Sequence, residues 1–161
     1  MHKNRFKAVG YAITLTFILL AWTPPPGLTE EDTVKTFVGS ETCQGCHEDE
    51  YESFTAYAKK ASSYDSVRIM TKGLTPDEVR ECYVCHTTGY GMPGGFISET
   101  ETPHLKNAGC EVCHGPGSLH VESEDYEDII SDLTIDACKA CHRSDRVEAF
   151  KFTPLLHGGA H

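Results

Sequence analysis

Four times in 161 residues the chain places two cysteines two residues apart and follows the second directly with a histidine. The copies are Cys43, Cys46 and His47; Cys82, Cys85 and His86; Cys110, Cys113 and His114; and Cys138, Cys141 and His142. They consume all eight cysteines, so none is left for another purpose. Such a unit has a specific chemical use. Two thiols at this spacing reach the two vinyl-derived carbons of one porphyrin, and the adjacent imidazole turns beneath the ring to bind iron; C-x-x-C-H is the attachment signature of c-type haem. Paired C-x-x-C units also build zinc ribbons, and exported chains form disulfides, but neither has a use for the histidine. With 9 histidines in the chain, random placement of one after every pair has a probability on the order of one in a hundred thousand.

Four macrocycles bound to one chain constrain its fold more than any periodicity does. The chain is 39% hydrophobic and 9% aromatic, modest for a protein core at this length, and covalent haems staple a small domain that has little core of its own. Lys3, Arg5 and Lys7 are the only formal charges in residues 1–29, so the total of −10 becomes −13 for the remainder. That balance argues against nucleic acid as a partner and favours redox proteins with basic docking patches.

Residues 1–29 read as an export segment, with a basic start and an apolar run over residues 8–22. Fifteen apolar residues suit a signal peptide better than a bilayer span. Pro24, Pro25 and Pro26 follow a poor cleavage sequence, so both a signal peptide and an uncleaved membrane anchor are expected readings. Export agrees with the motifs, because c-type haem is ordinarily attached outside the cytoplasm. Residues 30–161 then form the haem-bearing domain.

Within that domain, Tyr51, Phe54, Ala58, Ala61 and Tyr64 fall at helical spacing and predict one long helix over residues 48–70. Thr75, Pro76 and Glu78 give a capping box with proline at the first helical position, opening the helix that carries the second motif. Four glycines and a proline over residues 89–95 require a loop, and residues 96–100 read as a short extended piece. Short helices are expected over residues 103–114 and 126–133, and a helical turn at the fourth motif.

Each motif histidine, His47, His86, His114 and His142, supplies one axial ligand. The second ligand decides the chemistry: two protein ligands close the iron, and an empty sixth position opens it to small molecules. Outside the motifs and residues 1–29 there are four histidines, His104, His120, His157 and His161, and the number matches four haems. Each also has the ordinary reading of a solvated surface side chain. Gly158 and Gly159 argue against a helix joining His157 to His161. Met70 and Met92 are thioether candidates, with packing and loop roles the plainer reading.

The run CYVCHTTGYGMPGGF at residues 82–96 resembles the C-x-x-C-H-x-x-G-(Phe/Tyr)-G-x-x-G-G-(Phe/Tyr) run of the tetrahaem cytochrome c-554 family. Residues 109–120 are similar to that family's G-C-E-x-C-H-G-P-G segment with its following histidine. With the outer motifs the resemblance covers about residues 38–157. It implies a mostly α fold with long irregular loops, a small multihaem cytochrome c packed around four covalent haems in close pairs. It also implies an electron carrier between donor and acceptor proteins rather than an enzyme. A small redox enzyme acting on a nitrogen oxide at a five-coordinate haem is the alternative, and a subunit of an extracellular haem filament is a third. Family members have a histidine ligand in the helix after the first motif. Here Ser53 and Phe54 match that context, but the histidine position falls on Lys59 or Lys60. The resemblance therefore leaves one haem lysine-bound, five-coordinate or served by a tail histidine.

Overall fold

In the computed structural model, residues 34–142 are described. The export segment, His157 and His161 lie outside them. Among the described residues there is no strand, and seven short helices alternate with three 3-10 turns and long irregular loops. The helices are α1 (Ser40–Cys43), α2 (Glu48–Tyr57), α3 (Ser63–Met70), α4 (Pro76–His86), α5 (Glu111–His114), α6 (Ser118–Ser123) and α7 (Ile135–Lys139). No helix among these residues is long and apolar enough to cross a membrane.

The capping box forms as expected. Glu78 Oε2 accepts from Thr75 N–H at 2.8 Å while Glu78 N–H donates to Thr75 Oγ1 at 3.4 Å, and Pro76 opens the 11-residue α4. The single long helix over residues 48–70 does not form. It breaks at Ala58, whose backbone is extended (φ −81°, ψ 115°), and the turn Lys59–Ser62 leads into α3. Tertiary bonds account for the break: Tyr64 N–H donates to Asn107 Oδ1 at 3.1 Å, and Ser63 Oγ accepts from Ala108 N–H at 2.8 Å. The apolar stripe survives, with Phe54, Ala58 and Tyr64 all buried.

Two other expected helices shrink. Over residues 103–114 there are a 3-10 turn, Pro103–Leu105, and the single turn of α5. The chain between them bends at residues 106–107 and is pinned by Thr88, whose N–H donates to Leu105 O at 2.9 Å and whose hydroxyl donates to Asn107 O at 2.6 Å. Over residues 126–133 only the turn Tyr126–Asp128 forms. Ile130 is drawn away to pair with His114, its N–H donating to His114 O at 3.0 Å. The extended piece expected over residues 96–100 does not form as such: Phe96 N–H donates to Thr88 O at 2.9 Å, and residues 99–101 make a turn closed by Thr102 N–H donating to Ser98 O at 3.0 Å.

The protein core is small: Phe37, Tyr64, Val67, Phe96 and Leu105 are buried, with Val79, Cys82, Tyr83 and Tyr90 packed against them. Gly89, in the glycine-rich loop, has φ +70°, and a Cβ there would lie inside van der Waals contact with the Phe37 ring. That glycine serves close packing of chain on chain. Tyr57, Ile69, Met70, Val84, Met92 and Ile97 are each more than half exposed.

Candidate haem-binding site

All four motifs adopt one helical turn. His47 N–H donates to Cys43 O at 2.9 Å, His114 N–H to Cys110 O at 3.1 Å and His142 N–H to Cys138 O at 3.0 Å; the second motif forms the last turn of α4. Four residues of helix return the histidine to the face of the first cysteine. The local sequence thus folds each set of two thiols and one imidazole onto one side. No disulfide joins any of the eight cysteines, and among the described residues no three His, Cys, Asp or Glu side chains converge as a zinc ion would require.

The histidine rings are held by backbone carbonyls. Nδ1 of His86 lies 3.0 Å from Ser63 O, Nδ1 of His114 lies 2.7 Å from Ile130 O, and Nδ1 of His120 lies 2.8 Å from Asp125 O. A carbonyl only accepts, so each bond puts the proton on Nδ1 and the lone pair on Nε2, the arrangement that metal-binding histidines use. His120, six residues beyond the third motif, stands beside the first: the His47 and His120 ring centroids are 6.2 Å apart with 27° between the ring planes. With a metal–nitrogen bond of about 2 Å, two imidazoles on opposite sides of one metal have centroids about 6 Å apart. The pair fits that spacing.

The motifs also adjoin one another. Ser40, which opens α1, accepts from Cys110 N–H of the third motif at 3.0 Å. Interaction with the Cys110 thiol, with burial adding, holds the Cys43 thiol far above the ordinary range. The same interaction lowers Cys110 to about 6 against the opposing effect of burial, with help from the Ser40 hydroxyl. Burial raises Cys113, while the Lys60 ammonium beside it acts in the opposite direction and Cys138 of the fourth motif adds to the rise. The first and third motifs therefore adjoin, and the fourth is near enough for Cys138 to act on Cys113. The second joins them through Ser63, whose hydroxyl donates to His86 O at 2.8 Å and accepts from Ala108 N–H.

His104 stands on the turn Pro103–Leu105 with its ring on Gly39, where a Cβ would be 3.1 Å from His104 Cδ2. It lines a cleft of about 210 Å³ with Tyr51, Phe54, Thr55, Ala61 and Asn107. Met70 and Met92 are exposed and away from the protein core.

One residue that organises the site was not singled out from the sequence. Glu111, between the cysteines of the third motif, is 2% exposed. Its carboxylate accepts from Val38 N–H at 2.9 Å, Gly39 N–H at 2.8 Å and Gly117 N–H at 2.8 Å. It thereby ties the approach to the first motif and the approach to His120 onto the third motif. The available signal was an acid enclosed by Gly109, Gly115 and Gly117 with no basic neighbour to pair it.

The residues present fit covalent haem. No disulfide ties up the thiols, each pair is set on one helical turn with an imidazole, the tautomers suit a metal, the His47–His120 spacing admits one, and large apolar side chains such as Val84 within the second motif stand exposed. Comparison with known proteins points the same way. Residues 42–115 match the family model described as cytochrome c554 and c-prime. Cytochrome c-554 of Nitrosomonas europaea is 34% identical over 93 residues, which is 50% of this chain and 39% of that protein, so the chain spans about two-fifths of its relative's length. The solved structure of the reduced state of cytochrome c554 from Nitrosomonas europaea superposes with a TM-score of 0.58 at 23% identity, covering 80% of this chain and 86% of the other. That likeness establishes the shared, mostly helical fold.

Proposed function

We propose, from its likeness to the cytochrome c554 family over residues 42–115, that the chain is an exported electron carrier with four covalently attached c-type haems. Cys43 and Cys46, Cys82 and Cys85, Cys110 and Cys113, and Cys138 and Cys141 are the thioether anchors. His47, His86, His114 and His142 are the proximal ligands. Haem c, when bound, supplies an iron that cycles between ferric and ferrous states. The chain's own residues do the rest. The carbonyls of Ser63, Ile130 and Asp125 hold His86, His114 and His120 with Nε2 presented for coordination.

The observation that carries this reading is the His47–His120 pair, two imidazoles spaced to close one iron from both faces. A closed iron exchanges electrons and does not take up substrate. The adjoining of the first and third motifs, with the fourth near them, supports passage of charge along the chain of sites without a moving part. His104, His157 and His161 are the remaining distal candidates. Donor and acceptor are redox proteins, and the net charge of −10 suits basic docking patches on them. Residues 1–29 direct export or retain the protein at the membrane.

The test is electron paramagnetic resonance of the oxidised holoprotein, with haem counted in the same sample. Four haems per chain with only low-spin ferric signals are expected. A high-spin signal from one haem in four would refute the closed conduit and give precedence to small-molecule chemistry at an open iron.

A further inference from the structure

The four motifs differ in the residue that follows the first cysteine: Gln44, Tyr83, Glu111 and Lys139. That residue lies in the short run between the two attachment points of its own haem, so covalent connectivity keeps any charge on it close to that haem. The surroundings differ as much as the side chains. Gln44 is exposed, Tyr83 is half-buried, and neither adds to the formal charge. Lys139 is exposed and paired with Asp136, Nζ to Oδ1 at 3.1 Å, so water and a counter-charge screen it. Glu111 is 2% exposed, and no ion pair among the described residues includes it.

Backbone amides hold the Glu111 carboxylate instead. Val38 N–H donates to Oε1 at 2.9 Å and to Oε2 at 3.2 Å, Gly39 N–H to Oε2 at 2.8 Å, and Gly117 N–H to Oε1 at 2.8 Å. All three partners are donors, which suits an ionised acceptor and leaves nothing to accept a proton from a carboxylic acid. Their dipoles fix the group in place without cancelling its unit charge. A charge enclosed in this way is felt over a longer range than one in water, and salt screens it little. Reduction lowers the charge of a haem by one unit, so a fixed anion beside it favours the ferric state.

Resting on the four-haem reading above, we propose that Glu111 depresses the reduction potential of the third haem, as an anion built into the attachment run itself. One electron from the donor takes ferric iron to ferrous, and no bond forms or breaks at the carboxylate. The third site is thereby a weaker electron acceptor than its axial ligands alone would make it, and an electron that arrives there is passed on more readily than it is kept.

The experiment is a redox titration of the matured full-length holoprotein followed by proton NMR, with haem counted in every sample. The third haem is identified by contacts of its substituents with Cys110 and Cys113. Glu111→Gln is expected to raise the reduction equilibrium constant of that haem about tenfold, or about 59 mV for a one-electron couple. The shift should persist between about 0.01 and 1 M ionic strength. Glu111→Gln also disturbs the bonds to the backbone, so Glu111→Asp and Glu111→Asn form a second pair, both one methylene shorter and differing in charge. The third haem of the Asn variant should again lie about tenfold above that of the Asp variant. Gln44→Glu, which puts an exposed carboxylate at the matching position of the first motif, should move the first haem less than about twofold at high salt. A third haem unmoved in Glu111→Gln, equal potentials in the Asp and Asn variants, or a shift that salt abolishes overturns the proposal. Loss of haem from both neutral variants assigns the carboxylate to folding alone and overturns it too. Fewer than four haems per chain in wild type instead overturns the four-haem reading beneath it.

Discussion

Replacing Glu111 with glutamine keeps the side chain's shape and removes one acceptor oxygen. Oε1 serves both Val38 N–H and Gly117 N–H, and Oε2 serves Gly39 N–H. The glutamine carbonyl can take over the first pair, but its amide nitrogen then faces Gly39 N–H, donor against donor. Hydrogen bonds to a charged acceptor contribute about 1.5–3 kcal/mol each. One is lost, two become neutral, and relief of burying the charge offsets part of the loss. The expected cost is about 2–4 kcal/mol, a large share of the roughly 5–15 kcal/mol that stabilises a domain. Glu111→Ala, which strands all three donors, should cost about 3–5 kcal/mol. Guanidinium titration of the holoprotein, followed by far-ultraviolet circular dichroism, measures both. Hydrogen exchange gives the local reading: the Gly39 amide should lose protection in Glu111→Gln, and both Gly39 and Gly117 in Glu111→Ala. A Glu111→Gln variant within about 0.5 kcal/mol of the parent, with the Gly39 amide still protected, would refute the claim that this carboxylate joins the first and third motifs.

Burial, with the nearby Tyr83 hydroxyl adding, pushes the Tyr64 phenol from 10.0 up to about 12. The folded state favours the neutral phenol, so its contribution to stability is complete below pH 10 and drains away between pH 10 and 12; Tyr64→Phe should flatten the alkaline limb of a stability–pH curve, and an unaltered limb would count against this origin. Gly89→Ala places a methyl group against the Phe37 ring at φ +70°, and the combined backbone and packing cost of about 3 kcal/mol should appear as a lowered melting temperature; a melting temperature equal to the parent's would show that the loop yields instead.

Short-range signals were legible in the sequence. Each C-x-x-C-H unit needs only one helical turn, the Thr75–Glu78 box needs only four residues, and the glycine-rich loop declares itself by composition. The departures all come from bonds to residues far along the chain. No glycine or proline announces the break at Ala58, because the partners that draw Ser63 and Tyr64 away are Ala108 and Asn107. The helix expected after Tyr126 is lost because Ile130 pairs with His114 on both sides, donating with its N–H and accepting from the ring. His120 could be named as a distal candidate from its type and count. Its place beside His47 required the fold, as did the role of Glu111.

The carboxylate of Glu111 lies 72 residues downstream of the Gly39 amide that it receives. A chain that leaves the ribosome or a translocation pore from its N-terminus therefore presents the first motif well before the residue that locks its approach has emerged. During that interval Cys43, Cys46 and His47 have their own helical turn and nothing else to order them. Maturation machinery would meet the first motif as a short, open peptide and the third as the piece that closes the structure around it. Order of emergence and order of consolidation are thus separated by design of the contact itself. Loading of the first site before the third is the sequence of events that this topology favours.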